Sequence, residues 1–199
     1  MNFKDREDLV YKTTKRIIKV IESMDDPSKK AILAKLRHSI GRSITEYLDI
    51  LKLVYANFPE EILDISEKLL WEEDAIISAL QLFALHKQGK KESVIPEDDE
   101  KLSIGASLRY LRNNEDSKAV DKRFNGMIVS ATYEEFKNHL RHLIKLLKAR
   151  VDDVKVDYAL LAKNLFTIAV GNFENVKLTW ARDFYYIKTK GEANNESKQ

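Results

Sequence analysis

The sequence predicts an all-α protein, two small bundle-like lobes built from about eight or nine helices. Three observations predict it. Apolar residues recur at spacings of three and four along most of the chain, which is the period of a helix face. Only three Pro and six Gly interrupt 199 residues, too few for a turn-rich sheet protein. No stretch alternates apolar and polar residues for more than a few positions, so no half-buried strand is signalled.

Taken in order, a first helix spans about Lys4 to Met24. Asp26-Pro27 then restarts the chain, as an N-cap followed by Pro at the first helical position. The second helix, about Ser28 to Ser39, buries Leu33, Leu36 and Ile40 and ends at Gly41. Ile44 to Asn57 reads as a helix closed before Pro59, and Glu60 to Leu70 as a short acidic one. Trp71 to Lys87 is the most apolar segment, with Glu72, Glu73 and Asp74 at its start and His86 and Lys87 at its end, as the helix dipole favours. Gln88 to Lys101 contains Gly89, Pro96 and dense charge, which marks residues 91–100 as a linker between a lobe at 1–90 and a lobe at 101–188.

The second lobe opens with Leu102 to Leu111, where Ser103, Gly105, Ala106 and Ser107 let another helix approach closely. Ser117 to Ala131 follows. Thr132 and Glu135 then form a capping box for a helix running to Val151. Phe136, Leu140, Leu143 and Leu147 share one face of it. Asp157 caps a helix to Val170, with Gly171 as its C′ residue. The last helix sets Phe173, Val176, Trp180, Phe184 and Ile187 on one face, and residues 189–199 read as a frayed polar tail.

Composition limits the function. The chain is 44% hydrophobic and 33% charged, enough to bury a core and stay in water. There is no Cys, which excludes disulfides, thiolate nucleophiles and Cys-based metal sites. No apolar run approaches the roughly 20 residues that span a bilayer. Met1 to Asp8 is charged and lacks a signal peptide's apolar core, so a cytoplasmic protein with no membrane contact is expected.

The net charge of +2 points to no partner, but its placement does. Residues 27–45 hold five Lys or Arg and no acid, residues 101–114 hold three and none, and residues 136–151 hold five and none. Pro59–Asp74 carries seven acids against one Lys, and Glu97–Glu100 is four acids in a row. Sorted blocks create oriented fields that steer a charged partner, although amphipathic helices also sort charge by chance.

Catalytic chemistry is weakly represented. His139 and His142 have a spacing that can grip a metal, but no third ligand lies nearby and two His on a basic helix read as polar surface. Asp152-Asp153-Val-Lys-Val-Asp157 resembles the aspartate-rich Mg²⁺ motif of all-helical isoprenoid synthases. Those carboxylates must line a helix wall, whereas these fall between two helices. No Gly-rich phosphate loop or nucleophile elbow occurs. The expectation is a non-enzyme with no catalytic residue, cofactor or metal. Trp180-Ala-Arg182-Asp183-Phe184-Tyr185 offers aromatic rings for base stacking, yet Trp180 and Phe184 lie one turn apart on the face that closes the core.

What stands out is the stripe of Lys137, Arg141, Lys145 and Lys148 beside the apolar face of the Thr132–Val151 helix. Like charges at i,i+4 destabilise a helix, so countercharge is expected from outside it. A Lys/Arg stripe without sequence-adjacent acids suits phosphate neutralisation, which releases condensed counterions. Nothing resembles a base-reading helix, so backbone contact rather than sequence readout is expected. Arg109, Arg112, Lys145 and Lys148 are candidate nucleic-acid contacts on this charge pattern alone.

Seven segments in order carry a family resemblance: Leu36-Arg37-His38, Ala79-Leu80 with Ala84-Leu85-His86, Ser103-Ile104-Gly105-Ala106-Ser107-Leu108, Lys122-Arg123-Phe124, His139 to Ile144, Asp157 to Ala162, and Trp180 to Tyr185. The pattern is similar to the CasB-type small subunit of Cascade, the type I-E CRISPR surveillance complex, over about Ser28 to Tyr186. The first helix and Ile44–Leu70 match it less well.

The resemblance implies an all-helical, non-catalytic subunit that pairs with itself and contacts other Cascade subunits. It implies that the subunit helps hold the guide RNA–target DNA heteroduplex and the displaced DNA strand in antiviral defence. By position, Arg37, Lys122, Arg123, Arg141 and His142 fall where the family tends to keep basic residues, with Lys163 a weaker case. Ala106 stands where some relatives have Arg, which reduces the charge of that helix. The acidic Pro59–Asp74 segment reads either as a docking surface for a neighbouring protein or second copy, or as a solvated face.

A dimeric helical transcription regulator of the TetR type shares this length and class. Gly41, Tyr55 and Phe58-Pro59-Glu60-Glu61 echo the end of its helix-turn-helix, but a continuous apolar helix fills the gap where a short exposed one belongs.

Overall fold

Trp71–Lys87 forms a 17-residue helix buried on nearly every side, from Ala75 to Leu80 and from Leu82 to His86. A helix apolar all round has to sit inside a fold rather than on it. The computed structural model describes residues 1–59, 70–97, 101–113 and 117–186. Among the described residues it contains nine α-helices: α1 Phe3–Ser23, α2 Asp26–His38, α3 Leu48–Tyr55, α4 Trp71–Lys87, α5 Ile104–Arg109, α6 Ser117–Ile128, α7 Tyr133–Arg150, α8 Tyr158–Ala169 and α9 Phe173–Tyr185. Short 3-10 turns occupy Ile44–Glu46 and Tyr110–Asn113, and no strand occurs among these residues.

Helix α4 packs against α1, α2, α7 and α8, while α8 also packs on α1 and α9 on α5 and α8. One cluster of buried side chains runs from Val10 and Ile17 of α1 through Phe83 to Trp180 and Phe184 of α9. It crosses the proposed linker: Val156 N donates to Val94 O at 2.9 Å, and Val94 itself is buried. Residues 98–100, the Glu60–Leu70 helix from 60 to 69, Ile187 and the tail 189–199 lie outside the described residues.

Several boundaries move by a physical cause. The cap of α2 is Asp25 rather than Asp26: Asp25 is extended and accepts from Ser28 N at 3.1 Å, and Pro27 sits within the first turn, where a missing N–H costs nothing. Ile44 to Asn57 is not one helix. Tyr47 breaks it at φ −121°, ψ 62°, its hydroxyl drawn back to His38 O at 3.0 Å. Ile40 is half-buried instead of core. Helix α5 is shorter than Leu102–Leu111 because Ser103 caps it and the last residues tighten into a 3-10 turn. At α7, Thr132 Oγ1 accepts from Glu135 N at 3.2 Å, but the Glu135 carboxylate reaches Ala131 N, one residue before the cap.

Other expectations hold. Asp157 caps α8, and Gly171 follows it at φ +93°, a left-handed conformation that Gly adopts without strain. Trp180 and Phe184 are fully buried, the Phe184 ring stacked on Phe124 at 3.8 Å between centroids. Helices α5 and α9 touch at Gly105, where a Cβ would stand 2.2 Å from the Trp180 carbonyl oxygen.

Candidate nucleic-acid interface

The inner side of α7 is fixed by Phe136, Leu140, Leu143, Ile144 and Leu147, all buried. Helical geometry then forces Arg141, Lys145 and Lys148 to the outer side at spacings of four and three. Helix α4 packs against both α2 and α7, so the end of α2 and the outer side of α7 border a groove with α4 as its floor.

Cations come from both walls. Arg37 of α2 lies across the groove floor, its Nη1 3.4 Å from Ala84 O, and burial draws its guanidinium below the ordinary value. Lys148 donates to Gln88 Oε1 at 2.9 Å. Burial first, then the charges of Arg37 and Lys90, hold Lys148 below the usual lysine value. Like charges therefore converge at the C-terminal end of α4. Lys145 is exposed, and Arg141 is half-buried with its Nε enclosed and unpartnered. Among the described residues, no carboxylate pairs with Arg37, Arg141, Lys145 or Lys148. His142 is exposed and its Nδ1–H donates to Asn138 O at 2.8 Å.

The stripe is shorter than its spacing implies. Lys137 is held by Asp74 at 3.0 Å and Glu134 at 2.8 Å, and its ammonium lies 4.6 Å from the Tyr133 ring centre. One countercharge comes from α4, 63 positions away in sequence, and the other from Glu134 on α7 itself. The acids at the start of α4 are likewise occupied inside the fold: Glu72 pairs with Arg6, and Glu73 accepts from Leu70 N at 2.9 Å.

The other candidates divide. Lys122 and Arg123 are exposed on α6. Arg109 lies 5.6 Å from the Tyr186 ring centre. Arg112 grips Asp121 with two nitrogens at 2.7 and 3.3 Å and lies over Phe184 and Tyr185. Lys163 is paired with Asp8 at 2.9 Å and Glu7 at 3.6 Å. Lys90 is the residue that the sequence hides. Gly89, at φ +80°, turns the chain after α4 so that Lys90 reaches Val151 O and Asp152 O, both at 3.0 Å. Only the Gly-Lys pair at the end of an apolar helix signalled it.

Beneath this surface His86 is fully buried, its Nδ1 2.9 Å from the Tyr158 hydroxyl. Burial, aided by Lys90, Lys148 and Lys155, pushes His86 down to about 4. The folded state thus binds a proton less readily than the unfolded chain, near 6.5. The stabilisation is complete above pH 6.5 and is lost as pH falls towards 4, amounting to about 3 kcal/mol. Urea melts of the wild type and H86Q should show a stability difference that is flat above pH 6.5 and shifts against the wild type below it. A constant difference from pH 7 to 4 would contradict the burial of a neutral imidazole.

Fold and surface together define a small all-α protein that collects cations from separate helices on one open face. No helix among the described residues is long and apolar enough to cross a membrane. The family model of CRISPR-associated protein Cse2 matches residues 32–185, and the chain belongs to that family. Among solved structures, CasB from Thermobifida fusca is similar at a TM-score of 0.67 and 26% identity, covering 91% of this chain and 98% of that one. CasB from M. ruber gives 0.67 at 19% identity, covering 87% and 92%. A chain of a CRISPR RNA-guided surveillance complex gives 0.60 at 18% identity, covering 91% and 92%. No curated protein sequence matches. Nothing among these matches supports a TetR-type regulator.

Proposed function

We propose that the groove between α2 and α7 is a phosphate-binding surface of a non-catalytic small subunit of the type I-E Cascade complex. One observation carries the proposal: Arg37, Arg141, Lys145 and Lys148 converge from two walls, and no described carboxylate neutralises them. Family membership and the likeness to a chain of an RNA-guided surveillance complex support the setting. The subunit holds the guide RNA–target DNA heteroduplex and the displaced strand by their backbones while base pairing reads the sequence, working in the cytoplasm beside other Cascade subunits and a second copy of itself. Lys122, Arg123 and His142 extend the contact, and Arg109 adds to it from the Tyr186 side. Arg112 and Lys163, whose charges are met by Asp121 and by Glu7 and Asp8, brace the fold instead of joining the contact.

The test is binding of single-stranded and duplex oligonucleotides of unrelated sequence across a salt series. Affinities should agree within about threefold among sequences and fall steeply with salt. A strong preference for one duplex sequence would contradict the proposal.

A further inference from the structure

The groove contains a pit. Between Ile40 and Gly41 beyond α2, the middle of α4 and the first half of α7 lies an open cavity of about 100 Å³. Ile40 and Leu82 give it an apolar side, and Ser78, Gln81, Asn138 and Arg141 a polar one. Arg141 Nε is buried there without a partner, and a buried donor left unpaired is costly. Gln81 is oriented from behind: its Nε2 donates to Ser39 Oγ at 2.9 Å, and Ser39 in turn donates to Leu36 O at 2.9 Å. Among the described residues, nothing donates to the Gln81 Oε1. Lys137 and Glu134 reach the same cavity, but they pair with each other at 2.8 Å.

The chemistry discriminates between ligands. A phosphate presents acceptors only, so it suits Arg141 but opposes the Gln81 carbonyl and the Glu134 carboxylate. A nucleobase edge presents donors and acceptors side by side, which suits an arginine next to an amide. At about 100 Å³ the cavity is smaller than the ~150 Å³ that encloses a benzene ring, but it is open, so it takes the edge of a base and leaves the rest of the ring outside. We propose that the cavity receives one nucleobase swung out of the strand held in the groove. The Arg141 Nε and the Gln81 amide meet its edge, the terminal Arg141 nitrogens stay on the adjoining phosphate, and Ile40 and Leu82 meet its ring. The inference rests on the groove being a nucleic-acid surface and adds a base contact to a backbone contact, without choosing among sequences.

The test compares oligothymidine with the same strand carrying abasic residues, each titrated against the full chain at low salt by fluorescence anisotropy. The wild type should bind the abasic strand about tenfold more weakly. S78L, which fills the cavity, should bring the intact strand to the abasic level and leave abasic binding unchanged. K145E should weaken both strands together. Equal wild-type affinity for the two strands overturns the base pocket; if K145E still weakens both, the cationic groove stands. Absence of binding to either strand overturns pocket and groove alike. If S78L does not fold, the wild-type comparison decides alone.

Discussion

Gly105→Ala is expected to lower the melting temperature by about 10 °C. In an isolated helix the same change stabilises by up to ~1 kcal/mol, because Gly loses more backbone freedom than Ala. Here the new Cβ would stand 2.2 Å from the Trp180 carbonyl oxygen and 2.9 Å from its Cα, both backbone atoms. Neither helix can yield locally. Trp180 is fully buried, and Ser103, the cap of α5, and Ser107 within it are tied to Asp183 and to Lys155 O. Overpacking of this kind costs about 3 kcal/mol, which outweighs the propensity gain. For a domain of this size each kcal/mol is worth about 2–4 °C. Gly126→Ala is the control. Its Cβ would meet only the His139 ring at 3.4 Å, so stability should stay level or rise slightly. A G105A melt matching the wild type would contradict the close crossing of α5 and α9.

The second large effect is on binding. Reversing Arg141 and Lys145 together to Glu should weaken low-salt nucleic-acid affinity on the order of a hundredfold, each charge-assisted phosphate bond contributing about 1.5 kcal/mol. Neither residue takes part in an ion pair with a described carboxylate, so circular dichroism and melting temperature should change little. Reversing Lys163 acts elsewhere: it sets a third negative charge beside Glu7 and Asp8 and should destabilise the fold.

What the sequence made legible is what lies close along the chain. The apolar periods of α4 and α7 and the caps at Thr132 and Asp157 were readable from spacing. So was the core face containing Trp180 and Phe184, because a helix fixes which side chains share a side. Gly105 could be singled out as a point of close approach, but not its partner. Contacts between remote segments were hidden. The charge of Lys137 is met by Asp74 as well as by its neighbour Glu134, and that of Lys163 by residues more than 150 positions earlier, so the remote partners of both cations are invisible in sequence. Tyr47 interrupts an apolar run through a bond to His38 that no local pattern announces. The meeting of Arg37 with Lys148 and Lys90 depends on α2 and α7 both packing on α4, a tertiary fact. The seven family segments single out Arg37 and Arg141 by resemblance, but give nothing for Lys90.

The most direct test of the cationic groove is the slope of log affinity against log salt for the wild type and for the Arg141, Lys145 double reversal. Phosphate neutralisation predicts a steep wild-type slope that falls by roughly 1.5 in the variant, about 0.7–0.9 for each phosphate no longer neutralised. Equal slopes in two folded proteins would contradict it and place the polyanion on another face.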